Sequence, residues 1–507
     1  MDITTFLRDN NFLSPLLVLS TSFLLLFIIK QTKLLSSKSI KNLPPGPPPL
    51  PIIGHLHMIG DNPHVSTANI AKKYGPLISL RLGKQLLVVA SSPEAAMGIL
   101  KTQDRHLSSR TVPAAFQHEA LIPHSLIWSD SNQTWKNLRT LCRSEMFSTK
   151  ALEAQSGIRE EKVGQMLDFL RSKQGQVIEL EDVVFTTLLN TLSSIIFGKD
   201  MLQFSDGNGS RDWLKESLHK VIEYGSRIKD VGSFYPVLER FDLHGTTKGT
   251  MKVFDKVFAY WEVIIKERRA LVNSPTWSSD QAQTFLDRML ENGFSSNQIY
   301  QLVMELFVAG TNTTTRTVVW NISEFLRHKE VMSKIEEEMK TEKNSNEIAP
   351  SQQSKLPYLH ACIKETFRLH PSVPLLLPHL AADTCEVMNY TIPKNTKIFV
   401  NVWAMGRDPK LWEDPLSYNP ERFTDSKLDF KGQDFELLPF GSGRRICPGL
   451  PSGIKSVEFI LASLIREFDL VLPNGADPSK LDMEEQFGIA MKRKNPLKLI
   501  FKQKQPC

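Results

Sequence analysis

The sequence predicts one large, mostly α unit with minor β-structure, preceded by an N-terminal transmembrane helix. Three observations carry that expectation. Phe12 to Ile29 holds 13 apolar residues in 18 and no charge. Helix-period patterns dominate from about Pro93 to Leu369. From about Ile52 onward no second linker divides the chain. A chain of 507 residues has the length to bury a sizeable core. Its 41% hydrophobic and 23% charged residues exclude a disordered or fibrous class.

The elements follow in order. As a helix, Phe12 to Ile29 spans about 27 Å at 1.5 Å per residue, close to a hydrocarbon core of about 30 Å. Lys30, Lys33, Lys38 and Lys41 follow it with no acid among them. The positive-inside rule then puts everything downstream in the cytosol. The alternative is a cleaved signal peptide, but the basic n-region and small-residue cleavage site of one are missing. Residues 1–30 are therefore expected to be an anchor, 31–55 a basic and proline-rich hinge, and 56–507 a cytosolic catalytic domain. In the hinge, Pro44, Pro45, Pro47, Pro48, Pro49 and Pro51 surround Gly46. Proline fixes φ and removes donors, so the segment reads as a stiff spacer, with a polyproline partner motif as the other reading.

In the body, Leu77 to Leu82 and Leu86 to Ala90 read as strands. Two polar stretches, Asn273 to Thr284 and Lys343 to Lys355, read as exposed loops between helices. A long central helix is expected from about Ser296 to Arg327. After Pro371 the chain turns proline-rich, with short strands such as Lys397 to Val400. A last helix follows from about Leu450 to Glu467, and strands finish the chain.

Lys+Arg exceeds Asp+Glu by 61 − 55 = 6, too weak a surplus to imply nucleic acid. The five cysteines, Cys142, Cys362, Cys385, Cys447 and Cys507, are widely spaced with no C-x-x-C pair. That argues against a zinc ribbon, a redox dithiol or a disulfide scaffold.

One of these cysteines stands in a run built for chemistry: Phe440-Gly441-Ser442-Gly443-Arg444-Arg445-Ile446-Cys447-Pro448-Gly449. Its glycines let backbone turn tightly and approach a flat ligand. A helix begins just after the sulfur, and its N-terminal amides, with Arg444 and Arg445, favour thiolate. Such a thiolate is a metal ligand or a nucleophile. The plainer reading is a glycine-rich turn with an incidental cysteine.

The pattern F-x-x-G-x-R-x-C-x-G is matched at Phe440, Gly443, Arg445, Cys447 and Gly449. On it the chain resembles the cytochrome P450 family, the general example of thiolate-ligated haem. Glu365 and Arg368 resemble its E-x-x-R helix, and Pro420-Glu421-Arg422-Phe423 its PERF segment. Ala309 to Thr314 resembles the oxygen-binding segment of its long helix. With the anchor and proline hinge, the likeness covers the whole chain and points to plant microsomal members. Glu145 to Lys150 and Arg159 to Val163 are similar to an alkaloid-pathway group. That group includes N-methylcoclaurine hydroxylase, phenol-coupling oxidases and littorine mutase.

The resemblance implies the following. Haem b (iron protoporphyrin) binds with Cys447 as axial iron ligand. O2 is co-substrate, and electrons come from NADPH through a membrane-bound flavoprotein reductase. The chain is a single-pass protein of the endoplasmic reticulum membrane, monomeric there, with its catalytic domain cytosolic. Trp135, Arg139, Arg445 and His379 are the propionate partners. Glu365 and Arg368, three apart on one helix face, form a buried charge network with Arg422. Thr313 hydrogen-bonds and protonates dioxygen, the alternative being back-bonding to its own helix. Gly310, costly inside a helix, suggests that something flat needs its space. Asn312 departs from the family's usual acid, and an amide cannot shuttle protons by ionising. Val319 stands where similar plant sequences often carry Glu. Lys136, Arg139 and Arg143 are partial candidates for meeting an acidic reductase.

Substrate-contacting stretches implied are Ser109 to Leu126, Val308 to Thr313, Val373 to Leu377 and Phe487 to Ile489. Their apolar character suits a hydrophobic small molecule. The expected function is oxidation of a plant specialised metabolite, an alkaloid, with littorine rearrangement as lead. The alternatives are a benzylisoquinoline hydroxylase or phenol-coupling oxidase and, outside enzymes, a non-catalytic haem sensor.

Overall fold

A computed structural model describes Ser22 and residues 42–204, 212–226, 231–235, 238, 241–278, 283–343 and 356–504. Apart from Ser22, the expected membrane anchor lies outside them, as do the basic part of the hinge, Cys507 and parts of both polar stretches.

The central helix runs Ser296–Arg327, as its pattern predicts. It starts where Ser295 and Gln298 form a reciprocal capping box, which satisfies two otherwise orphaned donors. Its 32 residues reach about 48 Å and pass through two apolar clusters. The N-terminal half contributes Leu302, Val303 and Phe307 to one. The C-terminal half contributes Val318, Val319, Ile322 and Phe325 to the other. Val319 is therefore a core residue where a glutamate would need a buried partner. In the polar stretch between, three hydroxyls bond back one turn, while Thr315 Oγ1 is buried with no partner among the described residues. Thr311 donates to Phe307 O at 2.6 Å, Thr313 to Ala309 O at 2.7 Å and Thr317 to Thr313 O at 2.9 Å.

Around this axis pack the helices Leu180–Phe197, Pro357–Leu369 and Leu450–Glu467. The first of these is apolar and long enough to cross a membrane, yet it is mostly buried inside the protein.

The strands form a minor layer. The largest sheet orders Leu77–Leu82, Gln85–Ala90, Lys397–Val400, His379–Leu380 and Ser109–Arg110. Only the pair Gln85–Ala90 with Lys397–Val400 is parallel. A second sheet joins Val177–Glu179, Lys498–Gln503 and Phe468–Val471. The strands at Ser109 and Val177 interrupt the stretch read as helical. At two and three residues they are too short to show a period.

The proline-rich segment is pinned to the body. Ser79 donates its Oγ to Pro44 O at 2.6 Å and its N–H to Pro45 O at 3.0 Å. Only glycine fits at Gly46, where a Cβ would stand 2.1 Å from Ser79 O.

Candidate active site

The cysteine run folds as a tight bulge before the helix Leu450–Glu467. Gly443 has φ +68°, and a Cβ there would lie 2.0 Å from Leu100 O, so both conformation and space demand glycine. The Cys447 N–H donates to Phe440 O at 3.0 Å. Phe440 packs edge-on against Phe367 and Phe430, centroids 5.2 and 5.7 Å away. Arg139 donates from Nη2 to Ile446 O at 2.5 Å. Three elements thus hold the loop that carries the sulfur.

Burial pushes the Cys447 thiol up, and the Gly449 amide, the Arg139 charge and the Leu450 amide pull it back. The helix start acts as expected, but the arginine that acts is Arg139. Arg444 turns outward to Asp104, Nε to Oδ2 at 3.0 Å. Arg445 turns inward and donates to Ser108 O and Ser129 O.

A cavity of about 330 Å³ opens over Cys447. Arg110, Arg139, His379 and Arg445 also line it. Arg110 and His379 stand opposite each other in the sheet register. Burial, then the charges of Arg445 and Arg139, holds Arg110 down to about 9. Burial chiefly brings Arg445 to about 10. His379 is pushed well below its usual value by burial first and then Arg110. Its Nδ1–H donates to Leu107 O at 2.7 Å. Arg110 Nε and Arg445 Nη1 are buried with no hydrogen-bond partner among the described residues. Clustered cations with unused donors fit a ligand bearing negative charge. The two propionates of haem are such a ligand, and the Cys447 sulfur in the same cavity fits its iron. Arg110 was missed in the sequence, where nothing marks one arginine in a loop.

Trp135 sits elsewhere than expected. It does not line the cavity; its Nε1 donates to Leu126 O at 2.9 Å. Its ring underlies the Arg445 and Arg139 guanidiniums, 4.6 and 5.3 Å from the centroid. Trp135 therefore orients the arginines by its π-face.

The charge network is assembled. Glu365 accepts from Arg368 Nε and Nη2 at 2.7 Å each and from Arg422 Nε at 3.0 Å. Phe367 on the same helix carries this rigidity to Phe440.

On the central helix, Gly310 and Thr313 line the cavity and Asn312 does not. The Asn312 amide donates to Val308 O and Thr311 Oγ1, both at 3.2 Å. The tight neighbour of Gly310 is Leu192, whose Cδ1 would stand 2.9 Å from an added Cβ. An added methyl would therefore push the Leu192 side chain, which itself lines the cavity.

Of the expected substrate stretches, Phe116, Leu126, Val308, Val373, Leu377 and Ile489 line the cavity, while Phe487 lines a second one. The sequence reading missed the wall from Leu188 to Ile195, and it missed Glu305. Glu305 is the only carboxylate among the described residues of the cavity wall. Ser125 Oγ, Gln301 Nε2 and the amides of Leu126 and Ile127 donate to it, yet burial still pushes it up to about 7. A lone acid in Val303-Met304-Glu305-Leu306-Phe307 was the available signal.

The family profile Cytochrome P450 matches residues 44–501. The chain is 45% identical over 487 residues to a probable (S)-N-methylcoclaurine 3'-hydroxylase isozyme 2 of Coptis japonica, covering 96% of this chain and 97% of that one. It is 42% identical over 473 residues to corytuberine synthase of Coptis japonica, covering 92% and 96%. It is 40% identical over 464 residues to berbamunine synthase of Berberis stolonifera, covering 90% and 94%. A profile matched nearly end to end, and relatives alike along their full length, make the chain a member of the cytochrome P450 family and an oxidoreductase of the monooxygenase type.

Proposed function

We propose that this enzyme oxidises a hydrophobic amine, an alkaloid, at the endoplasmic reticulum membrane, using O2 and electrons passed from NADPH by a flavoprotein reductase. The observation that carries the reading is one cavity holding Cys447, the cationic cluster, an apolar wall and a single carboxylate, Glu305. The relatives' names, a hydroxylase and two synthases of alkaloid type, support it.

Bound haem would supply dioxygen activation, and the Cys447 thiolate would hold its iron. Arg110, Arg139 and Arg445 would hold its propionates, with a neutral His379, its Nδ1–H given to Leu107 O, packed beside them. The chain's own residues do the rest. Phe116, Leu192, Val308 and Ile489 keep water from the cavity and hold an apolar substrate in place. Thr313 spends its hydroxyl proton on Ala309 O, so its lone pairs face the cavity as an acceptor. Glu305 offers an ammonium a counter-charge. Exposed Lys136 and Arg143, on the face that carries Arg139, suit an acidic reductase. An anchor at 1–30 and a hinge at 31–55 would hold residues 56–507 against the bilayer.

Rearrangement of littorine, a tropane ester, is the finer reading. Asn312 supports it, since the amide beside Thr313 cannot relay protons by ionising. The relatives' names favour hydroxylation or phenol coupling of benzylisoquinolines instead. Incubating the full chain with reductase, NADPH and an alkaloid panel, read by mass, decides among them. A gain of one oxygen means hydroxylation, and a loss of two hydrogens with no oxygen gained means coupling or rearrangement to an aldehyde, which fragment spectra separate. No NADPH-dependent product from any amine overturns the proposal.

A further inference from the structure

A second cavity, about 570 Å³, lies behind the first, sharing Ile222 and Ala490 with it as wall. The helices Leu180–Phe197 and Asp212–Gly225, the central helix and the chain from Gln486 to Lys492 enclose it. Arg316 of the central helix reaches into it. Arg316 as a whole is 5% exposed, and its Nε and Nη1 are buried with no hydrogen-bond partner among the described residues. Glu181 acts on it only through charge. A buried cation with unused donors is costly, and a fork of N–H groups matches a carboxylate or phosphate.

The rest of the wall suits the same ligand. Lys215 and Lys492 line the cavity with Arg316, and all three repel a proton from His219. After burial, they hold that imidazole down to about 4, so it is neutral and can donate one hydrogen bond. Three acids line the cavity too, against the four cations Lys215, Lys220, Lys492 and Arg316. Asp182 is exposed and already paired with Lys215, and Glu216 and Glu223 are exposed on the neighbouring helix.

We propose that Arg316, with Lys492 and Lys215, forms a binding site for a small molecule bearing a carboxylate or phosphate, separate from the cavity over Cys447. Such a ligand would sit one turn along the central helix from Thr313. The site takes an oxyanion, whereas the proposed substrate is an amine, so neither proposal depends on the other.

Equilibrium binding to the full-length haem protein in phosphatidylcholine nanodiscs tests it. The probes are inorganic phosphate and glutarate, titrated at constant ionic strength by calorimetry. Wild type should bind about one equivalent of at least one probe, and the preferred probe tells phosphate from carboxylate. Arg316→Gln should weaken that binding about tenfold or more, while Arg316→Lys keeps part of it. The reduced-plus-CO spectrum checks that each variant retains its fold. If Arg316→Gln fails that check, Lys492→Gln takes its place and should weaken binding several-fold. No binding by wild type would mean that the chain satisfies its own arginine. Binding unchanged in the variants would mean an adventitious surface site. Either result overturns the proposal.

Discussion

Arg368 donates two hydrogen bonds to Glu365, 2.7 Å each, and both side chains are wholly shielded from solvent. The remaining donor capacity of Arg368 goes to Gly406 O, Pro415 O and Ser417 O. The remaining acceptor capacity of Glu365 goes to Arg422 and the Asn419 amide. One carboxylate is shared by two guanidiniums, and losing Arg368 would strand Glu365 Oε2 and take a donor from three backbone carbonyls, which is expensive. Arg368→Ala should destabilise the protein by roughly 3–5 kcal/mol, read by denaturant unfolding. A loss below about 1 kcal/mol would mean that the network is not the clamp described.

Gly443→Ala tests the cysteine bulge. The added methyl meets Leu100 O at a positive φ, and the facing atom is backbone that cannot swing aside. The variant should fail to give the reduced-plus-CO spectrum of a thiolate-ligated haem. Gly157 has nothing within 4 Å of an added Cβ, so Gly157→Ala should leave that spectrum intact.

Removing Arg110 should separate cofactor retention from folding. Its neighbours Arg445 and Arg139 repel it, so without haem the Arg110→Ala protein should be no less stable than wild type. With haem, a charge-assisted hydrogen bond is lost, and transfer of haem to apomyoglobin should run about tenfold faster. A destabilised apoprotein with unchanged transfer would assign Arg110 a structural role.

Glu305 makes stability depend on pH. Burial raises it from 4.5 to about 7, so the folded chain holds this proton more tightly than the unfolded one. Its contribution is complete below pH 4.5 and is lost as pH climbs through 7. That gap corresponds to roughly 3 kcal/mol. The stability of wild type relative to Glu305→Gln should therefore fall by up to that amount between pH 5 and pH 8. Parallel unfolding curves across that range would refute it. At pH 8 the same variant should raise KM for an amine substrate more than it lowers kcat.

Much of this protein was local enough to read directly. The central helix is legible from its pattern from about Ser296 to Arg327, and the hydroxyls of Thr311 and Thr313 find acceptors four residues back. The cysteine run shows its chemistry because its glycines, arginine and sulfur lie within ten residues. Glu365 and Arg368 are close at any helical spacing. The partners that make these features a site come from far along the chain. Arg110 faces His379 through a register linking residues 269 apart (379 − 110). Arg444 and Arg445 are neighbours, yet one meets Asp104 outside and the other Ser108 inside. Trp135 orients arginines because Leu126 O claims its donor. Asn312 turns from the cavity while Thr313 lines it, since adjacent helix positions point about 100° apart. Sequence alone determined the cysteine run, the long helix and the charge pair, because residue type and short-range spacing suffice for them. Tertiary structure alone decided which cations converge, which acid enters the cavity and which arginine lacks a partner, because packing sets those contacts.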